Sequence, residues 1–131
     1  MSAGRGAVRF LSRESVVALQ RESLSEHGGL DGIRDEGLLQ SALHRCAQRS
    51  HDEPDASLAV LAASLAFGLA RNHPFNDGNK RIALVASFAF LEINGLSVTA
   101  PEIEVYEIFM ALAAGELTEE QLADWFARSC G

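Results

Sequence analysis

Apolar side chains recur along the chain at intervals of three and four, the spacing that lines one face of an α-helix. Ser12 caps a first predicted helix running to about His27, with Val16, Val17, Leu19 and Leu24 on its inward side. Gly28 and Gly29 end it, and four glycines between Gly28 and Gly37 mark a turn-rich loop. Asp35 caps a second helix through Leu38, Leu39, Ala42, Leu43 and Cys46, and the polar run from Gln48 to Asp55 reads as the next connection. An apolar helix follows from about Pro54 to Asn72. It is apolar nearly all round, which places it at the centre of a bundle. His73 to Asn79 interrupts the pattern, because Pro74 breaks the backbone ladder and Asp77-Gly78 makes a turn. A second apolar helix runs from about Asn79 to Glu92 or Ile93 and stops at Asn94-Gly95. Leu96 to Ala100 is short and at most extended. Thr99 with Glu102 reads as a capping box for a helix reaching Ala114, which Gly115 ends. Thr118 with Gln121 reads as another, for a last helix carrying Leu122, Trp125 and Phe126. The pattern predicts an all-α bundle of about six helices, one domain over residues 1–131, without repeats or linkers.

Composition sharpens this picture. Ala 20 and Leu 17 stand against Val 7, Ile 5 and Thr 2, an excess of helix formers over β-branched residues. Apolar types make up 47% and charged types 22%, which excludes a disordered or fibrous chain. The longest uncharged run, Ala56 to Ala70, is too short and too mixed to span a bilayer. Met1 to Phe10 contains Arg5 and Arg9 but no apolar stretch of the kind a secretory leader carries. Two cysteines, Cys46 and Cys130, make no disulfide framework, so free thiols and a cytoplasmic location are expected. The net charge is −7, and the acidic excess lies in residues 92–131, where Arg128 is the one basic residue. A chain of that charge without a basic run is not built for direct nucleic-acid binding, which needs phosphates neutralised. Lys80 is the only lysine among 11 basic residues.

The two most apolar helices meet at the most polar junction in the chain, Arg71 to Arg81. A helix N-terminus presents unpaired backbone N–H groups and the positive end of a dipole, and both attract anions. Gly78 allows close backbone approach, and Lys80 and Arg81 place two cations on the first turn, where they oppose the dipole until an anion arrives. Asp77 is a carboxylate beside that turn, placed to hold Mg²⁺ between phosphate oxygens. His73 can exchange a proton near neutral pH, and Phe75 is expected to point into the core and pin the loop. His44, Cys46 and His51 lie close in sequence, but their spacing matches no structural zinc pattern.

The run from His73 to Arg81, H-P-F-N-D-G-N-K-R, resembles the signature of the Fic/Doc superfamily in its Doc (death-on-curing) form. Fic enzymes carry H-x-F-x-[D/E]-G-N-G-R-x-x-R; Doc toxins have Lys at the position of Lys80 and lack the last Arg, here Leu84. The likeness extends through Gly28-Gly29-Leu30, Gly32-Ile33-Arg34-Asp35, Leu38 to Leu43, Gly68 to Asn72 and Leu91 to Gly95. It implies an all-α toxin of a toxin–antitoxin module that transfers the γ-phosphate of ATP to a threonine of elongation factor Tu. By the same resemblance His73 is the base, Asp77 holds Mg²⁺, and Gly78, Asn79, Lys80 and Arg81 embrace the phosphates, with Arg71 nearby. Positioning and charge stabilisation carry such a transfer. The chain departs from the pattern at Ile82, where Thr is usual, at Phe67, where Tyr is frequent, and at Gln20, where His is common. The segment from Arg45 to Asp55, in the region that forms a target-holding flap elsewhere in the superfamily, is shorter. Fic proteins that silence themselves use [S/T]-x-x-x-E-[G/N]. Here Glu36 precedes Gly37 but Gly32 stands four residues before it, so an antitoxin of the Phd type is expected to act in trans. The alternatives are a Fic-type adenylyltransferase and a non-catalytic binding protein of the same fold.

Overall fold

The computed structural model describes residues 7–131, so the reading of residues 1–10 as carrying no leader falls largely outside the described residues. Six α-helices follow one another: α1 (Arg13–His27), α2 (Glu36–Asp52), α3 (Leu58–Asn72), α4 (Asn79–Ile93), α5 (Glu102–Ala113) and α6 (Glu119–Ser129). Among the described residues β-type pairing is confined to two isolated bridges, Ile33 with Phe75 and Val98 with Cys130. The all-α expectation holds.

The chain winds around α3. Every residue from Leu61 to Ala70 is buried, and α2, α4 and α6 pack against it. Leu61 and Leu69 are wholly buried, and truncating either to Ala would cost about 2–5 kcal/mol through lost transfer energy and a cavity. Gly68 lets α2 come close, since a Cβ there would lie 3.2 Å from both Cα and O of Ala42. α1 lies on α4, and α5 packs chiefly on α4, leaving Ile103, Tyr106 and Met110 exposed. Ion pairs tie the periphery. Arg45 and Arg49 of α2 bond the two oxygens of Glu119 at 2.6 and 2.9 Å. Arg13 reaches Glu36 at 2.7 Å, and its guanidinium holds that carboxyl below its ordinary value.

Several boundaries differ from expectation for local reasons. α2 continues to Asp52 because Gln48 bonds Asp52 and Arg49 bonds Glu53, both one turn on, so the polar run is a solvated helix face. α3 starts at Leu58 rather than near Pro54, since the Ser57 hydroxyl accepts from the Val60 N–H at 3.1 Å. The box expected at Thr99 and Glu102 does not form. Pro101 precedes α5 with no side-chain cap, and the Thr99 hydroxyl donates to Ser129 O at 3.0 Å instead, joining residues 97–99 to the C-terminal segment. Thr118 and Gln121 do form theirs. On α1 the buried face is Val16, Gln20, Ser23 and Leu24, while Val17 and Leu19 are only half-buried. Cys46 and Cys130 are free thiols. Burial pushes the Cys46 thiol up to about 12. Among the described residues no helix is long and apolar enough to cross a membrane.

Candidate active site

The junction between α3 and α4 is held from three sides. From α1, the buried Gln20 amide donates to Asp77 O at 2.7 Å, and the Ser23 hydroxyl accepts from Arg81 Nε at 2.7 Å. From the glycine loop, Leu30 N donates to Asp77 Oδ2 at 3.2 Å, and Gly32 O accepts from Asn76 N at 3.0 Å. The third hold is internal. The side-chain amide of Asn79 accepts from Phe75 N and donates to Phe75 O, both at 2.9 Å, which closes the turn while Phe75 sits in the core.

Backbone conformation is unusual here. Gly78 has φ +69°, and a Cβ there would come within 3.0 Å of the Arg81 guanidinium. His73 is the one non-glycine residue with positive φ among the described residues, at φ 49° and ψ 54°. A left-handed L-residue costs roughly 1–2 kcal/mol, so the surroundings must hold it. They do so through Arg34, whose guanidinium donates to His73 O at 2.7 Å and Asn72 O at 2.9 Å.

The expected site residues divide into two groups. His73, Arg71 and Lys80 line one cavity of about 330 Å³, walled by Phe67, Leu112 and Leu117. Arg81 turns to the other side of α4, over Gly78 and into a cleft of about 440 Å³ between α4 and α5. Consecutive residues on a helix point about 100° apart, so the two cations flank the helix start rather than sharing one side. The Arg71 guanidinium lies 5.6 Å from the centre of the Phe67 ring. None of Arg71, Lys80 and Arg81 pairs with a carboxylate among the described residues. α4 has no side-chain cap and its first intrahelical bond is Ile82 N to Gly78 O, so the N–H groups of Asn79, Lys80 and Arg81 point out of the helix unpaired. Asn79 differs from its expected role in one respect: its side chain is committed to Phe75, leaving only its backbone N–H for an anion.

The model of the Fic/DOC family matches residues 10–91. The chain is 34% identical over 125 residues to a "Protein kinase doc" of Escherichia phage P1, covering 95% of this chain and 98% of that protein. It is 43% identical over 93 residues to a "Toxin Doc" of Mycolicibacterium smegmatis, covering 70% and 68%. The chain belongs to the Fic/Doc family.

The matched span takes in α1, the glycine loop and the α3–α4 junction of this Fic/Doc protein, while the walls that α5 and Leu117 add to the two cavities lie beyond it. Chemically, the site can receive an anion at free N–H groups between flanking cations, with an imidazole-bearing residue at its edge. Asp77 is exposed, and each of its oxygens accepts one backbone N–H, from Gly78 and from Leu30, leaving a lone pair on each. Among the described residues no three His, Cys, Asp or Glu gather to form a metal cage, His44, Cys46 and His51 included. Sequence reasoning passed over Gln20, Ser23 and Arg34 as site-shaping residues. The signal for the first two was present: they share the inward stripe of α1 with Val16 and Leu24, where polar side chains need partners. The Gln20 carbonyl oxygen is buried without a donor among the described residues.

Proposed function

We propose that this chain is the toxin of a toxin–antitoxin module and works as an ATP-dependent protein kinase, phosphorylating a threonine of an elongation factor Tu-like protein and halting translation. The names of its relatives support the reading, one being called a protein kinase and the other a toxin. The observation that carries it is the gathering of His73 and three carboxylate-free cations around free N–H groups, in a chain of net charge −7.

In this reading His73 takes the proton of the threonine hydroxyl as its oxygen bonds to the γ-phosphorus. The bond from that phosphorus to the β–γ bridging oxygen breaks, and ADP leaves. Backbone N–H groups of Asn79, Lys80 and Arg81, with Gly78 giving close approach and the side chains of Arg71, Lys80 and Arg81, stabilise charge on the phosphate oxygens. Asp77 fits Mg²⁺, an ion that takes one or two carboxylates and fills its shell with water and phosphate oxygens. Bound there, the ion would neutralise phosphate charge. Silencing comes in trans, from a Phd-type antitoxin, and the site of action is the cytoplasm.

The test is incubation with α- and γ-labelled ATP and a bacterial lysate. Label from the γ-position supports the kinase, label from the α-position means adenylylation, and neither means a binding protein. His73→Ala should lower transfer by ~10²–10⁴-fold, the usual effect of losing a general base, with melting temperature nearly unchanged.

A further inference from the structure

One residue far from the motif in sequence binds three successive carbonyls of its loop. The Arg34 side chain donates from Nε to His73 O at 2.7 Å and from Nη2 to Asn72 O at 2.9 Å. Its backbone N–H donates to Pro74 O at 2.7 Å, and that of Asp35 follows to the same oxygen at 3.0 Å. The Asn72 and His73 carbonyls lie on either side of the His73 Cα, in the one non-glycine residue with positive φ among the described residues. Relaxing His73 to an ordinary φ would turn its carbonyl and break the bond to the guanidinium. The imidazole would be re-aimed by the same rotation, because Cβ moves with the backbone. Arg34 is exposed and pairs with no carboxylate among the described residues, although the chain holds 18 acidic side chains. A surface ion pair therefore does not explain it.

We propose that Arg34 is the positioning residue of His73: its planar fork holds the Asn72 and His73 carbonyls, and through them the left-handed backbone that directs the imidazole into the cavity shared with Arg71 and Lys80. The proposal rests on reading His73 as the base. Arginine suits the task because its donors sit in a rigid fork and its charge does not titrate. Lysine offers a point charge that can serve one carbonyl well but not two in fixed register.

The experiment measures the initial rate at which γ-label from ATP enters lysate protein, as a function of ATP concentration. Wild type, Arg34→Ala, Arg34→Lys, His73→Ala and the Arg34→Ala/His73→Ala double variant are compared. Arg34→Ala should lower kcat tenfold or more, since an ångström of misplacement is enough, with KM for ATP within twofold. Arg34→Lys should fall between it and wild type, and carries the comparison if the alanine variant does not fold. Millimolar guanidinium should restore part of the Arg34→Ala rate, because the pocket it leaves opens to solvent. The double variant should be no slower than His73→Ala, as residues acting through one another are not additive. Near-wild-type kcat in Arg34→Ala, beside an inactive His73→Ala, overturns the proposal and leaves the base reading intact. So does a loss that adds in full to that of His73→Ala and resists guanidinium. A fully active His73→Ala, or a wild type that transfers no γ-label, removes the base reading and this proposal with it.

Discussion

Replacing Asn79 by Ala tests whether the motif's asparagine is a clamp on the loop rather than a side chain for the nucleotide. The substitution removes both partners of Phe75, whose N–H and C=O each bond the Asn79 amide at 2.9 Å in a buried setting. Each backbone group left unpaired costs about 1–3 kcal/mol. Alanine returns roughly 0.5 kcal/mol in helix propensity, less at a first position than in mid-helix. The net loss is therefore about 1.5–5.5 kcal/mol. For a chain of 131 residues the unfolding entropy near the midpoint is about 0.28 kcal/mol per degree, so Tm should fall by roughly 5–20 °C. Thermal unfolding followed by circular dichroism reads this directly. Asn79→Asp supplies an internal control: its carboxylate still accepts from Phe75 N but faces Phe75 O, which needs a proton between them. The folded state thus raises that carboxyl's pKa, so the variant is stabilised while protonated and loses that stability as pH rises through the raised value. A Tm for Asn79→Ala within about 2 °C of wild type would refute the reasoning, because the Phe75 groups would then have found other partners.

Further outcomes follow from other contacts. Gly29→Ala, at φ +123°, places a Cβ 2.9 Å from Asp77 Oδ2, so it should displace that carboxylate and raise the Mg²⁺ concentration needed for half-maximal transfer; an unchanged Mg²⁺ titration counts against Asp77 as the ligand. Lys80→Gly should reduce γ-transfer at least tenfold, about 1.4 kcal/mol of transition-state stabilisation, with any gain appearing as α-label when both labels are assayed on the same target. Cys46, its thiol pushed up to about 12 by burial, should resist alkylation in the native protein, whereas Cys130 should react measurably faster; mass spectrometry after brief iodoacetamide treatment distinguishes them.

Much of the architecture was legible because it follows local rules. The caps at Ser12, Asp35 and Thr118 are short-range hydrogen bonds between residues three apart, and each forms as the sequence implies. The all-round apolar character of α3 is a direct consequence of its being surrounded, so its central place could be read from one segment. Thr99 misled because its hydroxyl had two possible acceptors or donors in reach. The nearer in sequence lost to Ser129, some thirty residues away, once the C-terminal segment closed beside it. Long-range pairing of this kind leaves no periodicity to read. The end of α2 was misplaced for the opposite reason: a polar run looks like a loop unless its charges are checked for one-turn spacing.

The site divides along the same line. Residues 73–81 were legible as a group because they are contiguous, yet what each does depends on partners from α1 and the glycine loop that sequence proximity cannot supply. The placement of charge shows the same logic at a larger scale. Away from the site, Arg13, Arg45 and Arg49 meet glutamates, and the chain has acidic side chains to spare. Arg71, Lys80 and Arg81 have none among the described residues, and two of them stand at the positive end of a helix dipole, where a cation lowers stability. Neutralising them internally would have been easy by composition. That α4 instead starts with carboxylate-free cations and uncapped N–H groups is the arrangement that the phosphate-binding reading proposed above calls for. The glycine loop, Gln20, Ser23 and Asn79 hold the junction in that open form, and their hydrogen bonds offset its cost.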